Sequence, residues 1–166
     1  ALAQMAGLEI DGGVVVDACS HTSDPNIIAA GDCTVHHSAL YQRRLRLESV
    51  PNALEQARAA AAALVGKTPA ARPAPWFWSD QYDLKLQMVG LSQGHDACVI
   101  RGDMAAHKFI AFYLRDGVVI AADSVNRAAD FVMAKRLVGG AARVPAEQLA
   151  DEAVSLKDLA LAVPQA

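Results

Sequence analysis

Thr22-Ser23-Asp24-Pro25-Asn26-Ile27-Ile28-Ala29-Ala30-Gly31-Asp32-Cys33 is the stretch from which the rest of the chain is read. Its first five residues carry turn chemistry. Proline fixes one backbone angle, and Ser, Asp and Asn side chains hydrogen-bond to neighbouring amides. Residues 27–30 form a short apolar run bounded by turn signals, which predicts a buried strand and not a helix. Gly31 then gives a place where a ligand can come close to the backbone, and Asp32 sets a carboxylate beside it. Such a carboxylate suits hydrogen bonds from sugar-like hydroxyls. It suits the capping of the next element equally well, and spacing alone leaves both open.

Upstream, a short helix end and a Gly12-Gly13 turn lead into a strand, Val14-Val15-Val16-Asp17. Downstream, Ser49 is placed as an N-cap and Pro51 lies in a first turn, where a missing amide hydrogen costs nothing. Residues 52–65 are almost all good helix formers, and Gly66 supplies a left-handed stop. Residues 67–75 hold three prolines among small residues and read as a linker. Beyond it the pattern changes. Leu84-Lys85-Leu86-Gln87-Met88-Val89 alternates like a strand, and two apolar runs flank Arg115-Asp116-Gly117 as in a hairpin. Residues 127–138 are patterned as an amphipathic helix closed by Gly139-Gly140, and the tail has helix-like stretches over 145–150 and 155–162. The expected architecture is therefore an α/β segment over residues 1–67, a linker over 68–74, and a small α+β domain with an antiparallel sheet over 75–166.

Bulk properties bound the function. Hydrophobic residues make up 53% of the 166 and charged residues 20%, enough for a packed core and unlike a disordered chain. The net charge of −3 offers no basic field for nucleic acid. The longest apolar run, residues 59–65, is too short to cross a bilayer. Cys19, Cys33 and Cys98 are widely spaced and odd in number, so a disulfide framework is not expected and a reducing cytoplasm fits. The chain opens on Ala1 in what reads as mid-domain sequence, which suggests that it is a piece of something longer.

Three further features carry chemistry. At Glu48-Ser49-Val50-Pro51-Asn52 a helix N-terminus would present free amide hydrogens and about half a positive charge. That end suits a phosphate, a carboxylate or an electron-rich ring edge, and it also describes an ordinary capped surface helix. Pro75-Trp76-Phe77-Trp78-Ser79-Asp80 gathers both tryptophans of the chain; these would plug a domain boundary or wall a cofactor pocket. Cys33, His36 and His37 raise a metal reading, but no second ligand cluster follows them, and surface histidines with a buried cysteine account for them without an ion. No Gly-x-Gly-x-x-Gly occurs, so the phosphate-cradling turn of a dinucleotide fold is missing.

Taken together the segments resemble one family. The stretch at 22–33 is similar to the second FAD motif of the pyridine-nucleotide-dependent flavoprotein reductases. Its continuation in Arg46-Leu47-Glu48-Ser49-Val50-Pro51-Asn52-Ala53-Leu54-Glu55-Gln56-Ala57-Arg58 and Trp76-Phe77-Trp78-Ser79-Asp80-Gln81-Tyr82 resembles the ferredoxin reductases of oxygenase systems. Val125-Asn126-Arg127 and Ala134-Lys135-Arg136 also have counterparts there. The resemblance implies the C-terminal half of a Rossmann-like FAD-binding domain followed by the family's C-terminal domain. It implies that Asp32 binds a ribityl hydroxyl of FAD with Gly31 beside it at the cofactor, that the amides at Val50 and nearby face the flavin with Pro51 in the same turn, and that Trp78 lies beside its ring. It further implies that Arg58 and Lys135 belong to a basic rim for an acidic [2Fe–2S] ferredoxin, although on charge alone both read as solvated surface. The pyrophosphate turn and the nicotinamide domain of that family have no counterpart in these residues. No catalytic or metal-binding residue is therefore expected, NAD(P)H would act at a site outside this sequence, and the segment alone is expected to be inactive. The rival reading is a non-catalytic module that self-associates or docks a partner, including the remaining segments of the same reductase.

Overall fold

A computed structural model describes residues 1–163. The chain divides into two compact units, Ala1–Pro73 and Ala74–Ala166.

The first unit holds α1 (Leu2–Met5), β1 (Val14–Val16), β2 (Thr34–Ser38), β3 (Arg43–Leu45) and α2 (Val50–Leu64). The strands lie in the order β1-β2-β3, with β1 parallel to β2 and β3 antiparallel to it. Gly13 is required by close approach, since a Cβ there would meet the Cys33 carbonyl oxygen at 2.9 Å and Val35 Cγ2 at 3.0 Å. Helix α2 starts where the sequence predicts. Ser49 is extended, its hydroxyl accepts from the Asn52 amide, and Gly66 closes the far end with φ +70.

Two expectations fail here. Residues 27–30 are not a strand of the sheet. Their contact is local, an antiparallel bridge between Ile28 and His21, with the Thr22 and Ala29 amides bonded to the Ile27 and Ser20 carbonyls. The apolar run is half-buried and folds back on its own turn, so the sheet strand follows the Gly31-Asp32 corner and does not precede it. The other failure concerns Cys33, which is exposed, whereas His36 is buried. The strand β2 turns successive side chains to opposite faces, so His36 enters the core and His37 faces out.

The second unit is a five-stranded antiparallel sheet in the order β4-β5-β8-β7-β6, built from Trp76–Gln81, Leu84–Gly90, Ala97–Asp103, Lys108–Arg115 and Val118–Val125. The hairpin between β7 and β8 turns on Asp116 and Gly117 with φ of 51° and 75°. Two successive positive φ values match the right-handed twist of the flanking strands. Helix α3 (Ala128–Gly139) packs on β8 and β5, followed by α4 (Ala146–Ala150) and α5 (Leu156–Leu161). Val89, Ile110, Phe112, Leu114 and Ala122 of the sheet meet Phe131, Ala134, Leu137 and Val138 of α3, with Leu149 and Leu156 from the tail, in one core. After α3 the left-handed position is Ala141 (φ 47°), while Gly140, with φ −91°, is not left-handed.

Candidate functional site

The Gly31-Asp32 corner and the N-terminus of α2 are fastened to each other inside the first unit. The fastener is Gln56, which is 0% exposed. Its Oε1 accepts from the Gly31 amide at 2.6 Å and from the Thr34 hydroxyl at 2.8 Å. Its Nε2 lies 3.4 Å from His36 Nδ1, and its own carbonyl accepts from the Ser20 hydroxyl at 3.1 Å. One residue of α2 thereby ties together the corner, β2 and the turn before it. Nothing in the local sequence around Gln56 marks it as a fastener. Its signal is position: it shares the buried stripe of α2 with Ala59 and Ala60, at i, i+3 and i+4.

Gly31 needs its conformation, not its size: φ is +85°, and an added Cβ would make only an ordinary 3.6 Å contact with Ala53. Asp32 is exposed, and among the described residues its carboxylate makes no hydrogen bond or ion pair. The α2 start behaves likewise. Asn52 donates to Ser49 Oγ, Ala53 donates to the Ser49 carbonyl, and Pro51 has no N–H. The Val50 amide is left without an acceptor among the described residues, and its side chain is exposed. The corner beside Gly31 offers a free carboxylate able to receive hydroxyls, and the start of α2 offers a free amide able to receive a partly negative group.

His36 couples this network to pH. It is 6% exposed, and burial, then Arg72 and His37, push its pKa down to about 4. Its Nδ1 can accept from Gln56 only while the ring is neutral. The unfolded chain takes up this proton near pH 6.5 and the folded chain near 4. Stability contributed at pH 7 is therefore lost as the pH falls from 6.5 towards 4. By pH 5 the expected loss is about 2 kcal/mol. Urea titrations followed at β2 and α2 amides should show it in the wild type and not in His36→Gln; equal acid sensitivity in both would remove His36 as the cause.

In the second unit Trp78 is 39% exposed on β4. With Asp80, Lys85, Gln87, Asn126 and Ala128 it lines an open depression of ≈ 430 Å³. The neighbouring Trp76 packs towards α3, with its ring 6.1 Å from Phe131 and 5.5 Å from Trp78. Lys135 Nζ sits 4.4 Å over the Trp76 ring, a cation–π contact that restrains it. Arg58 is exposed and pairs with Glu55 at 2.8 Å along α2. Among the described residues Cys33, His36 and His37 do not converge, and the His/Cys/Asp/Glu group that does is Asp17, Cys19 and His21.

Known families match two separate stretches of the chain. Residues 1–57 match the pyridine nucleotide-disulphide oxidoreductase family, and residues 76–160 match the reductase C-terminal family. The chain belongs to the reductase C-terminal family. Outside this reductase C-terminal domain the similarity continues. The chain is similar to putidaredoxin reductase CamA of Pseudomonas putida, with 50% identity over 158 residues, 95% of this chain and 37% of that protein. It is similar also to the anthranilate 1,2-dioxygenase system ferredoxin–NAD(+) reductase component of Burkholderia cepacia, with 45% identity over 94% of this chain and 39% of that protein. The fold matches the crystal structure of the covalent putidaredoxin reductase–putidaredoxin complex with a TM-score of 0.92 and 49% identity, over 98% of this chain and 39% of that one. The chain thus spans little more than a third of the length of these relatives. No helix among the described residues is long and apolar enough to cross a membrane.

Proposed function

We propose that this chain is part of an FAD-dependent reductase that passes electrons from NAD(P)H through FAD to a [2Fe–2S] ferredoxin serving an oxygenase. The observation that carries the reading is the Gln56 bond to the Gly31 amide, which fixes the Asp32 corner against the helix that offers the Val50 amide. Asp32 would hold ribityl hydroxyls, and Val50 and Pro51 would present the helix end to the flavin. Trp78 would supply an aromatic surface for a conjugated ring. The residues fit one part of such a group, because the carboxylate and the amide are both free to bond. FAD supplies the hydride and single-electron chemistry when bound, and the protein orients it and tunes its charge. No residue here is assigned to NAD(P)H. Relatives named as ferredoxin–NAD(+) reductases support the electron-transfer class. Free Cys19, Cys33 and Cys98 support a reducing compartment such as the cytoplasm.

Arg58 and Lys135 are proposed as cations for an acidic ferredoxin. Arg58 is the more exposed of the two, while Lys135 is held on Trp76. The test is made in the full-length reductase. Asp32→Ala should lower retained FAD by roughly tenfold in affinity, or about 1.4 kcal/mol, and unchanged flavin content would refute the assignment. Arg58→Glu should slow ferredoxin reduction at low salt but leave a small artificial acceptor unaffected, since exposed charges are screened beyond about 10 Å at 0.1 M salt. Equal loss with both acceptors would remove the docking role.

A second reading has its own support. Leu2, Met5, Leu54, Leu64 and Val65 are exposed on the first unit, apolar area that a segment standing alone buries by self-association. A purified chain that binds no flavin and sediments as an oligomer would favour it.

A further inference from the structure

Asp17, Cys19 and His21 belong to no element assigned above, yet their side chains converge. The carboxylate, thiol and imidazole ligand atoms all lie within 4.8 Å of one another, and His21 Nδ1 is 3.5 Å from Asp17 Oδ2. The convergence is built into the backbone. Asp17 Oδ1 accepts from the Cys19 and His21 amides, both at 2.8 Å, which leaves Oδ2 towards the imidazole. Ser20, at φ 70°, reverses the chain between the last two ligands and is itself fully buried, with its hydroxyl on the Gln56 carbonyl. Arg72 holds the same loop through the Asp17 and Ala18 carbonyl oxygens, and its charge acts on Asp17 and Cys19 from there. All three residues are open to solvent, wholly or in part.

We propose that Asp17, Cys19 and His21 form a binding site for a borderline divalent transition-metal ion of the Zn²⁺ class, open at a fourth position to water. The donor set selects the ion. Sulfur and imidazole suit Zn²⁺ or Co²⁺, whereas Mg²⁺ and Ca²⁺ require oxygen ligands throughout. A thiolate and a carboxylate supply two negative charges to the dication, with Arg72 within electrostatic reach of both, and the thiol proton leaves to solvent on binding. The size is right as well. Ligand atoms on a tetrahedral Zn²⁺ stand about 3.3 to 3.7 Å apart. The Asp17–His21 pair already meets that spacing at 3.5 Å, and the widest separation closes by about 1 Å through rotation of solvent-facing side chains.

The test is a Co²⁺ titration of the reduced chain. One equivalent should bind, with the thiolate-to-metal charge-transfer band and the visible bands of a tetrahedral ion, and equimolar Zn²⁺ should displace it. Cys19→Ser should abolish the charge-transfer band, and Cys33→Ser and Cys98→Ser should leave it whole. His21→Ala should weaken binding by roughly tenfold or more, the scale on which metal affinity responds to its supporting groups. A wild-type chain with no thiolate band, or a band that survives Cys19→Ser, overturns the proposal. A second measurement avoids any variant: Zn²⁺ should slow alkylation of Cys19 in the native chain by roughly tenfold and leave Cys33 and Cys98 unchanged. Equal rates at Cys19 with and without Zn²⁺ would also overturn it.

Discussion

Gln56→Leu is expected to destabilise the first unit by about 3 kcal/mol, on the scale of 1 to 3 kcal/mol for each buried polar group left without a partner. Leucine is similar in volume, so the loss would come from hydrogen bonding and not from a cavity. The Gly31 amide would lose its 2.6 Å acceptor, and His36 Nδ1 would lose its donor. The Thr34 hydroxyl keeps the Gly31 carbonyl at 2.8 Å, and the Ser20 bond to the Gln56 backbone is untouched. Hydrogen exchange should therefore show the Gly31 amide losing protection before the amides of β2. Gln56→Glu separates the bond from the shape. Its carboxyl again accepts from Gly31, but once ionised it draws a proton to His36 and raises that pKa above its depressed value of about 4. A leucine variant as stable as the wild type, with Gly31 still protected, would show that the corner is held by something else.

The same residue shows where sequence was legible and where it was not. Local signals are legible because their physics is local. Ser49 and Pro51 mark the start of α2 through backbone bonds within four residues, and Asp116-Gly117 sets the β7–β8 turn through two positive φ values. The family resemblance rests on such linked short motifs. Contacts across the chain were not legible. The apolar residues 27–30 looked like a sheet strand, but their partner is the turn at residues 20–22. The strand that does enter the sheet, Thr34–Ser38, reads as polar because His36 and Gln56 satisfy each other inside the core. A glutamine on an alanine-rich helix reads as solvent-facing until β2 is placed against it.

At the proposed cofactor corner this distinction has a consequence. Asp32 and Val50 could be named from motif and capping, since both are exposed groups whose chemistry needs no partner within the chain. What positions them, Gln56 and its buried neighbours, could not. Substitutions at Asp32 and at Gln56 should thus fail differently in the full-length reductase. On the proposed assignment the first would remove a ligand contact with little cost in stability, and the second would loosen the corner and lower stability together with flavin retention.

Arg101→Met should cost the second unit about 4 kcal/mol, because it removes several charge-assisted bonds, each worth about 1.5 to 3 kcal/mol before desolvation is counted. Arg101 lies on β6 and is 5% exposed. Its Nη1 donates to the Leu149 and Asp151 carbonyls at 3.3 and 2.6 Å, and its Nη2 to those of Glu152 and Val154 at 3.5 and 2.9 Å. These carbonyls belong to the end of α4 and the turn that follows it, a segment with too few residues to hold its own shape. Guanidinium geometry is what allows one side chain to serve four acceptors. Methionine keeps the apolar stem and so isolates the loss of the fork. Leu149 and Leu156, both buried in the core, flank the freed turn, so the core loosens with it. Both tryptophans, Trp76 and Trp78, lie in this unit, and their fluorescence in urea reports its unfolding directly. Arg101→Lys is expected to recover roughly half of the loss, since one ammonium cannot reach four carbonyls in two directions. A lysine variant indistinguishable from the wild type would mean that charge alone, and not the fork, anchors the C-terminal turn to the sheet.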